Sequence, residues 1–478
     1  MTCRRFGCPR QACPRGDRAH AYGGDLHRRV PGRTSVVSAR ASASFTGVVG
    51  VAMIAALTVC AVVFLGHATA HAQDARTPDP VPGVVQRVKL ASPGGEAMAV
   101  VVDATPLAHT AQLLPVDGEG RVVAAGDVAG QTTAVLKRVE MALSGVGSQM
   151  SRVVKLNVYL AANDSAPVVQ RLIDARFQPA PPAVTYVTTR LPVEGALVGI
   201  DAIATVAGAT TKGSTNDVGA ATETGAKLTP VKLGPALTGA HSRIAAAAVL
   251  PAGSRVYVAG QAEKGDLRAA TRNTMASLRA TLKFLELADA HIVQIKSFIM
   301  PMADVSQAEE EIRAFFGDAQ TPPLVWVEWQ SSSTTPIEIE LIAAAMPAKN
   351  PAAAGPIEYL TPPGMTTPTI YSRVTRVHHP RTIYTSGIWG SAKADGQTQV
   401  IDIFGALTTL STAAGGDLQH LAKATYYVSD NDASQKLNEL RPKYYDPKRP
   451  PAASKASVRG VSRPDRSITI DMIGTPKP

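Results

Sequence analysis

Three times along the chain, an alternating apolar strand carries a central acid: Gly199-Ile200-Asp201-Ala202-Ile203, Glu338-Ile339-Glu340-Leu341-Ile342 and Thr469-Ile470-Asp471-Met472-Ile473. The acids stand 139 and 131 residues apart, about one small domain each. An earlier strand keeps step with them: Val154 to Tyr159, Val293 to Phe298 and Ala422 to Tyr427. From Lys155, Gln294 and Lys423 to the matching acid is 46, 46 and 48 residues, and Pro182, Pro323 and Pro451 each precede the strand in between. Between these strands the period changes from 2 to 3.6. Val135, Val139, Ala142 and Leu143 share one helical face, as do Met275, Leu278, Leu282 and Leu285, and Ile403, Leu407 and Leu410. A second helix follows the early strand, over 166–177, 305–316 and 432–445. The order per copy is hairpin, helix, strand, helix, then two strands. Amphipathic helices beside half-buried strands predict an α+β domain, a mixed sheet covered on one face by two helices.

A chain of 478 residues has room for three such domains. Residues 207–228 are rich in Gly, Ala, Thr and Ser and read as a linker. A shorter joint at 347–356 holds Pro347, Pro351 and Pro356. The expected domains are therefore 85–206, 229–346 and 357–478.

The charge of +10 is unevenly placed. Residues 1–72 hold nine Arg, no Lys and two Asp, a net of +7, which leaves +3 for the remaining 406. That is no electrostatic footprint for a phosphate backbone, so nucleic acid is not expected as a partner. All four cysteines precede residue 73, so the rest of the chain has no disulfide, thiolate nucleophile or Cys-ligated zinc. Val48 to Leu65 is an uncharged apolar run of 18 residues behind an Arg-rich stretch, followed by Ala70-His71-Ala72. This is a signal-peptide pattern with cleavage before Gln73, hence export to the periplasm or medium. The run also reaches the lower length of a spanning helix, and an anchor at 46–66 is the alternative.

The ordered landmarks resemble the Rid/YjgF family of imine and enamine deaminases. In the third copy the resemblance rests on Tyr371-Ser372-Arg373-Val374, Ile383-Tyr384-Thr385-Ser386-Gly387, Lys423 to Val428, Pro450 to Ser454 and Ile468 to Met472. The first copy matches at Val153 to Leu160, Pro182-Ala183, Arg190-Leu191-Pro192 and Ile200 to Ala204. The second matches at Val256 to Gln261, Pro322-Pro323 and Ile337 to Ala343. The resemblance implies chorismate-mutase-like domains that assemble in threes, with ligand clefts between neighbours. Three copies in one chain then imply an intramolecular pseudo-trimer, monomeric in solution, that takes a small molecule and needs no cofactor or metal.

In active members of the family, an Arg after the Pro-Ala pair binds a 2-imino acid's carboxylate and an acid in the last strand positions water. A Tyr, a Ser-Gly pair and an Asn shape the cleft. Carried over, the third copy offers Tyr371, Ser386, Gly387, Asn438 and Asp471, with Asp471 and Ser386 in the catalytic places. It has Ala453 where the Arg belongs. The first copy has Asp201 with Ala183 or Val184 there, and the second has Gly260 and Glu340 with Val325. No copy keeps the Arg, whose planar fork grips a carboxylate bidentately. Lys455, two residues after Ala453 on the same strand face, is a weaker substitute. The expectation is an imine or enamine hydrolase acting on substrates other than 2-imino acids. The alternative is a non-catalytic small-molecule binder on the same fold. His378-His379 reads as a turn, since adjacent side chains point apart and nothing completes a ligand set. Trp326 and Trp329 read as core.

Overall fold

The computed structural model describes residues 83–207, 243–332, 334–350 and 354–478. The expected leader and most of the first linker lie outside the described residues. Among those described, no helix is long and apolar enough to cross a membrane.

The first copy runs β1 (Val84–Ser92), β2 (Gly95–Val102), β3 (Leu107–Thr110), α1 (Val128–Ser144), β4 (Val153–Leu160), α2 (Ala166–Arg176), β5 (Ala183–Thr188) and β6 (Val198–Thr205). The second runs β7 (Ala247–Leu250), β8 (Arg255–Gln261), α3 (Leu267–Phe284), β9 (Ile292–Ile299), α4 (Val305–Phe316), β10 (Leu324–Glu328) and β11 (Ile337–Ala344). The third runs β12 (Ile357–Leu360), β13 (Val374–Val377), β14 (Thr382–Thr385), β15 (Ile388–Trp389), α5 (Gly396–Ala413), β16 (Gly416–Val428), α6 (Asn431–Leu440), β17 (Ala452–Ser457) and β18 (Ile468–Pro476).

Each long helix starts the same way. Asp127, Asp266 and Asp395 accept a backbone N–H from Ala129, Ala269 and Thr398, and each such cap contributes about 1 kcal/mol. The apolar faces expected of these helices are buried: Val135, Val139, Met275, Leu278, Ile403 and Leu407 are 0–1% exposed. The sixth helix ends earlier than its pattern predicts. Pro442 lacks the N–H that another turn requires, so Arg441–Lys443 forms only a 3-10 turn.

Within each copy, one pair of strands is parallel (β4 with β5, β9 with β10, β16 with β17) and the closing strand lies antiparallel to the first of that pair. β1 and β2 form the expected opening hairpin, and β12 and β13 pair antiparallel too, but the opening strands do not stay within their own copy. They are shared between neighbouring sheets in a ring. β2 of the first copy pairs with β14 of the third, β7 of the second with β3 of the first, and β13 of the third with β8 of the second. The exchanged strand is buried on both faces. In β2, Ala97, Ala99 and Val101 pack into the third copy's core with Ile403 and Phe404, while Met98, Val100 and Val102 face Leu250, Val293 and Tyr384 in the middle of the ring. A continuous apolar run is what such a doubly covered strand needs.

Candidate ligand cleft at the copy junctions

Alternation along the closing strands sends Ile337, Ile339 and Leu341 into the second copy's helix-side core. Glu338 and Glu340 face the other way. Glu340, with Asp201 and Asp471, reaches the middle of the ring, beside a space of about 40 Å³ also lined by Lys155, Lys296 and Lys423. Volume for about one water is left there. Lys423 Nζ donates to Glu340 Oε2 at 2.6 Å, and Lys155 Nζ stands 3.4 Å from Asp471 Oδ2 while donating to Thr385 O at 2.7 Å. Asp201 accepts from Tyr159 OH at 2.6 Å and Asn157 Nδ2 at 2.9 Å. Lys296 donates to Tyr427 OH at 3.0 Å. Burial pushes the Asp201 carboxyl up and the Lys155 amine down. For Lys296 burial pulls downward, but Tyr427, Glu340, Asp201 and Asp471 together outweigh it and raise the amine. The three acids thus belong to one buried, mutually satisfied cluster.

The junctions between copies are built alike. Gly387 N donates to Val184 O at 3.0 Å across the third and first copies, and Gln112 N donates to Leu324 O at 2.9 Å across the first and second. Strand register makes Val184, Leu324 and Ala453 equivalent, since they pair with Leu156, Ile295 and Ala424 of the neighbouring strand. The guanidinium position is therefore Val184 in the first copy, and Leu324 in the second rather than Val325. Neither these nor Ala453 carries a charge.

Two of the junctions are filled. At the first–second junction, the amide of Gln112 donates from Nε2 to Trp326 O (3.1 Å) and accepts at Oε1 from Trp326 N (3.3 Å). At the second–third junction, Glu338 lies over Gly260, its Oε1 2.0 Å from where a Cβ on that glycine would stand. Burial, then the charge of Glu340, raises the Glu338 carboxyl to about 7. Ser454 closes the same place, accepting from Gly260 N at 3.2 Å and donating to Glu340 at 2.5 Å.

At the first–third junction the matching residues are small. Gly387 stands where Gln112 does, and Thr469 takes the strand position of Glu338. A cleft of about 380 Å³ remains. Its floor holds Val184, Tyr186, Ser386 and Trp389, and its sides hold Asp174 and Arg463. Tyr186 and Trp389 lie 6.4 Å apart at 29°. Trp389 is fixed by Nε1 donating to Val461 O at 2.9 Å. Arg463 sits over it, 4.8 Å from the ring centroid, and donates from Nη2 to Gln170 Oε1 at 2.7 Å. Burial lowers the Arg463 guanidinium and raises the Asp174 carboxyl. Met98 N donates to Ser386 Oγ at 3.0 Å, leaving the hydroxyl proton free to turn into the cleft.

The six residues singled out from the sequence do not share one place. Ser386 and Gly387 line the open cleft, opposite the first copy. Asp471 is in the central cluster. Asn438 and Lys455 are neighbours at the second–third junction, where Lys455 Nζ donates to Ser434 Oγ at 2.9 Å and reaches Asn438 Oδ1 at 3.4 Å. Tyr371 packs on that side too, against the cluster of Tyr257, Ala259 and Ala452. Of the residues in the cleft, Arg463, Trp389 and Asp174 carried no signal at the level of motif. Glu338 did: it alternates with Ile337 and Ile339 on the same face as Glu340. His378 is held between Ser254 Oγ and Glu358 Oε2, both at 2.8 Å, and Trp329 packs on Phe298.

Three α+β domains that exchange opening strands around a ring, with one junction left open as a cleft, define the class of protein. The chain belongs to the Endoribonuclease L-PSP family, whose profile matches three times, at residues 96–206, 238–345 and 365–475, and it is a tandem three-copy Rid/YjgF protein. Among solved structures, it is similar to the YjgF gene product of E. coli (24% identity over 26% of this chain and 92% of that one, TM-score 0.19). It is also similar to the Rid-family protein YyfB of Yersinia pestis (21%, over 26% and 100%, TM-score 0.23) and a YjgF-family protein of Neisseria meningitidis (21%, over 26% and 98%, TM-score 0.18). No curated protein matches.

Proposed function

We propose that this is a small-molecule-binding member of the Rid/YjgF family whose working site is the cleft between the first and third copies. One observation carries the reading. In that cleft the guanidinium position is Val184, and Asp471, the acid expected to position water, is held in the central cluster instead, so neither charged group of an imino-acid hydrolase lines the junction that stays open. An aromatic floor with a few convergent polar groups is what small-molecule sites share. Binding of small aromatic and aliphatic probes, lost in Gly387→Gln, tests it. Undiminished binding in that variant would overturn it.

A second reading is favoured by Asp174 and Ser386. A carboxyl raised by burial and a hydroxyl, both lining the cleft, could position water against an imine without a carboxylate. Ammonia release from such imines, abolished by Asp174→Asn, would support it.

The ring of exchanged strands suits a chain that completes its own pseudo-trimer and stays monomeric. The N-terminal pattern suits export or anchoring ahead of this domain set.

A further inference from the structure

We propose that the first–third cleft takes an aromatic carboxylate, its acid end held by Arg463 and its ring laid on Trp389 and Tyr186. This rests on the reading of that cleft as the ligand site, and it names the ligand's class and its anchor.

The argument starts from Arg463. It belongs to the loop before β18 of the third copy and reaches the cleft over Trp389, whereas Val184 lies on the first copy's β5. A guanidinium has five donors. Here one side-chain bond is made, from Nη2 to the neutral amide of Gln170, and no carboxylate among the described residues pairs with it. The group is half-buried, and burial lowers its pKa although the charge of Asp174 opposes the shift. Stacking on Trp389 at 4.8 Å fixes the plane of the fork, which removes the freedom an exposed arginine would lose on binding. A carboxylate entering the cleft would meet a preorganised bidentate partner.

The ring follows from the floor. Trp389 and Tyr186 are near parallel and both buried, and the indole N–H is satisfied inside the protein, so apolar faces are what they present. A volume of about 380 Å³ is at the small end for ligand sites, enough for one ring and a short acid arm. The other charges at the cleft leave Arg463 as the anion's partner. Lys89 is tied to Glu96 at 3.1 Å, and Asp174, on the first copy's α2 one turn beyond Gln170, acts on Arg463 by its charge without closing an ion pair.

The test is titration calorimetry of the full chain with three probes: 3-phenylpropanoate, its neutral amide, and butanoate. The acid should bind at least tenfold more tightly than either of the others. Arg463→Gln should reduce the acid's affinity tenfold or more while leaving the amide's unchanged. Arg463→Lys should fall between, and Trp389→Leu should weaken acid and amide together. Thermal melts of each variant confirm that the fold is kept. Equal affinity for acid and amide, or unchanged acid binding in Arg463→Gln, overturns the proposal. If the amide still binds and Gly387→Gln abolishes it, the cleft remains the ligand site and only the anchor is wrong. Absence of binding by all three probes rejects the aromatic-acid class, and binding that Gly387→Gln leaves intact rejects the cleft itself.

Discussion

Gly387 and Gln112 hold the same station at two junctions, each donating its backbone N–H to the neighbouring copy's strand, at 3.0 Å to Val184 and 2.9 Å to Leu324. One leaves a cleft and the other fills it with its own side chain. The first–second junction is thus filled by the Gln112 side chain over the same backbone frame that leaves the first–third junction open. Gly387→Gln should close the cleft. A Cβ there already meets Thr185 Cγ2 and Thr469 Oγ1 at 3.0 Å, so about 1–3 kcal/mol of stability should go as well. Loss of probe binding with only a modest drop in melting temperature is the expected result.

The converse change tests the same relationship from the filled side. Gln112→Gly removes both amide bonds to Trp326 and leaves its buried backbone N–H and C=O unpaired unless water enters. The cost should be about 1–3 kcal/mol, seen as a lower thermal midpoint. Addition of small aromatic probes should restore part of it.

Much of the fold was legible because its signals are local. The spacing of 46 to 48 residues between strand and acid, and the 3.6 period of helices such as α3, need no knowledge of neighbours. The strand exchange was not legible. Met98 to Val102 reads as a doubly buried strand whichever sheet it joins, and nothing in β2 itself names β14 as its partner. The same limit applied to the site. Glu338 and Glu340 share a strand face, and only the neighbouring copy decides that one lies over Gly260 and the other beside Lys423. Ser386 was found from its own motif, but the wall opposite it comes from the first copy. Arg463 sits in a loop, and only tertiary packing on Trp389 gives it a role.

The central cluster should govern stability. Lys423→Met would leave the Glu340 carboxylate buried with Ser454 as its hydrogen-bond partner and only the more distant charge of Lys296, and should cost roughly 3–5 kcal/mol. Lys423→Met with Glu340→Gln removes both charges and should cost less than the single change. Chemical denaturation of the three proteins checks the order, and a double variant weaker than the single would contradict the pairing.

Glu338 should impose a pH slope. Its carboxyl is raised to about 7 in the folded chain, above the 4.5 of an ordinary glutamate, so the folded state holds the proton more tightly. The stability this lends is complete below about 4.5 and is lost as pH rises through 7. Glu338→Gln cannot ionise. The stability of Glu338→Gln relative to wild type should therefore grow between pH 4.5 and 7, by about 1 kcal/mol or more, and level off above. Melting curves across that range should show the two proteins converging toward acid.

A chain that lends each opening strand to its own neighbouring copy has no such strand left to exchange with a second molecule. A chain starting at Gln73 should scatter light as a monomer. A stable assembly of three full chains would show that the ring closes between molecules in solution.

The last prediction concerns hydrolysis of 2-imino acids. With Val184 at the guanidinium position and Asp471 held in the central cluster, the wild type should release little ammonia from 2-iminobutanoate. Val184→Arg places a guanidinium on the first copy's β5, where register with Leu156 sets the family position, and Thr469→Glu puts a carboxylate on the closing strand beside Gly387, at the station Glu338 holds in the second copy. Together they should raise ammonia release tenfold or more, since a bidentate pair contributes a few kcal/mol and each 1.4 kcal/mol of barrier is tenfold. Ala453→Arg should give no such gain. It lies at the second–third junction, where Glu338 and Ser454 already fill the space over Gly260. Equal rescue from Ala453→Arg would show that this junction opens in solution. Strong wild-type activity would show that Arg463 or Asp174 already performs the work assigned to the missing pair.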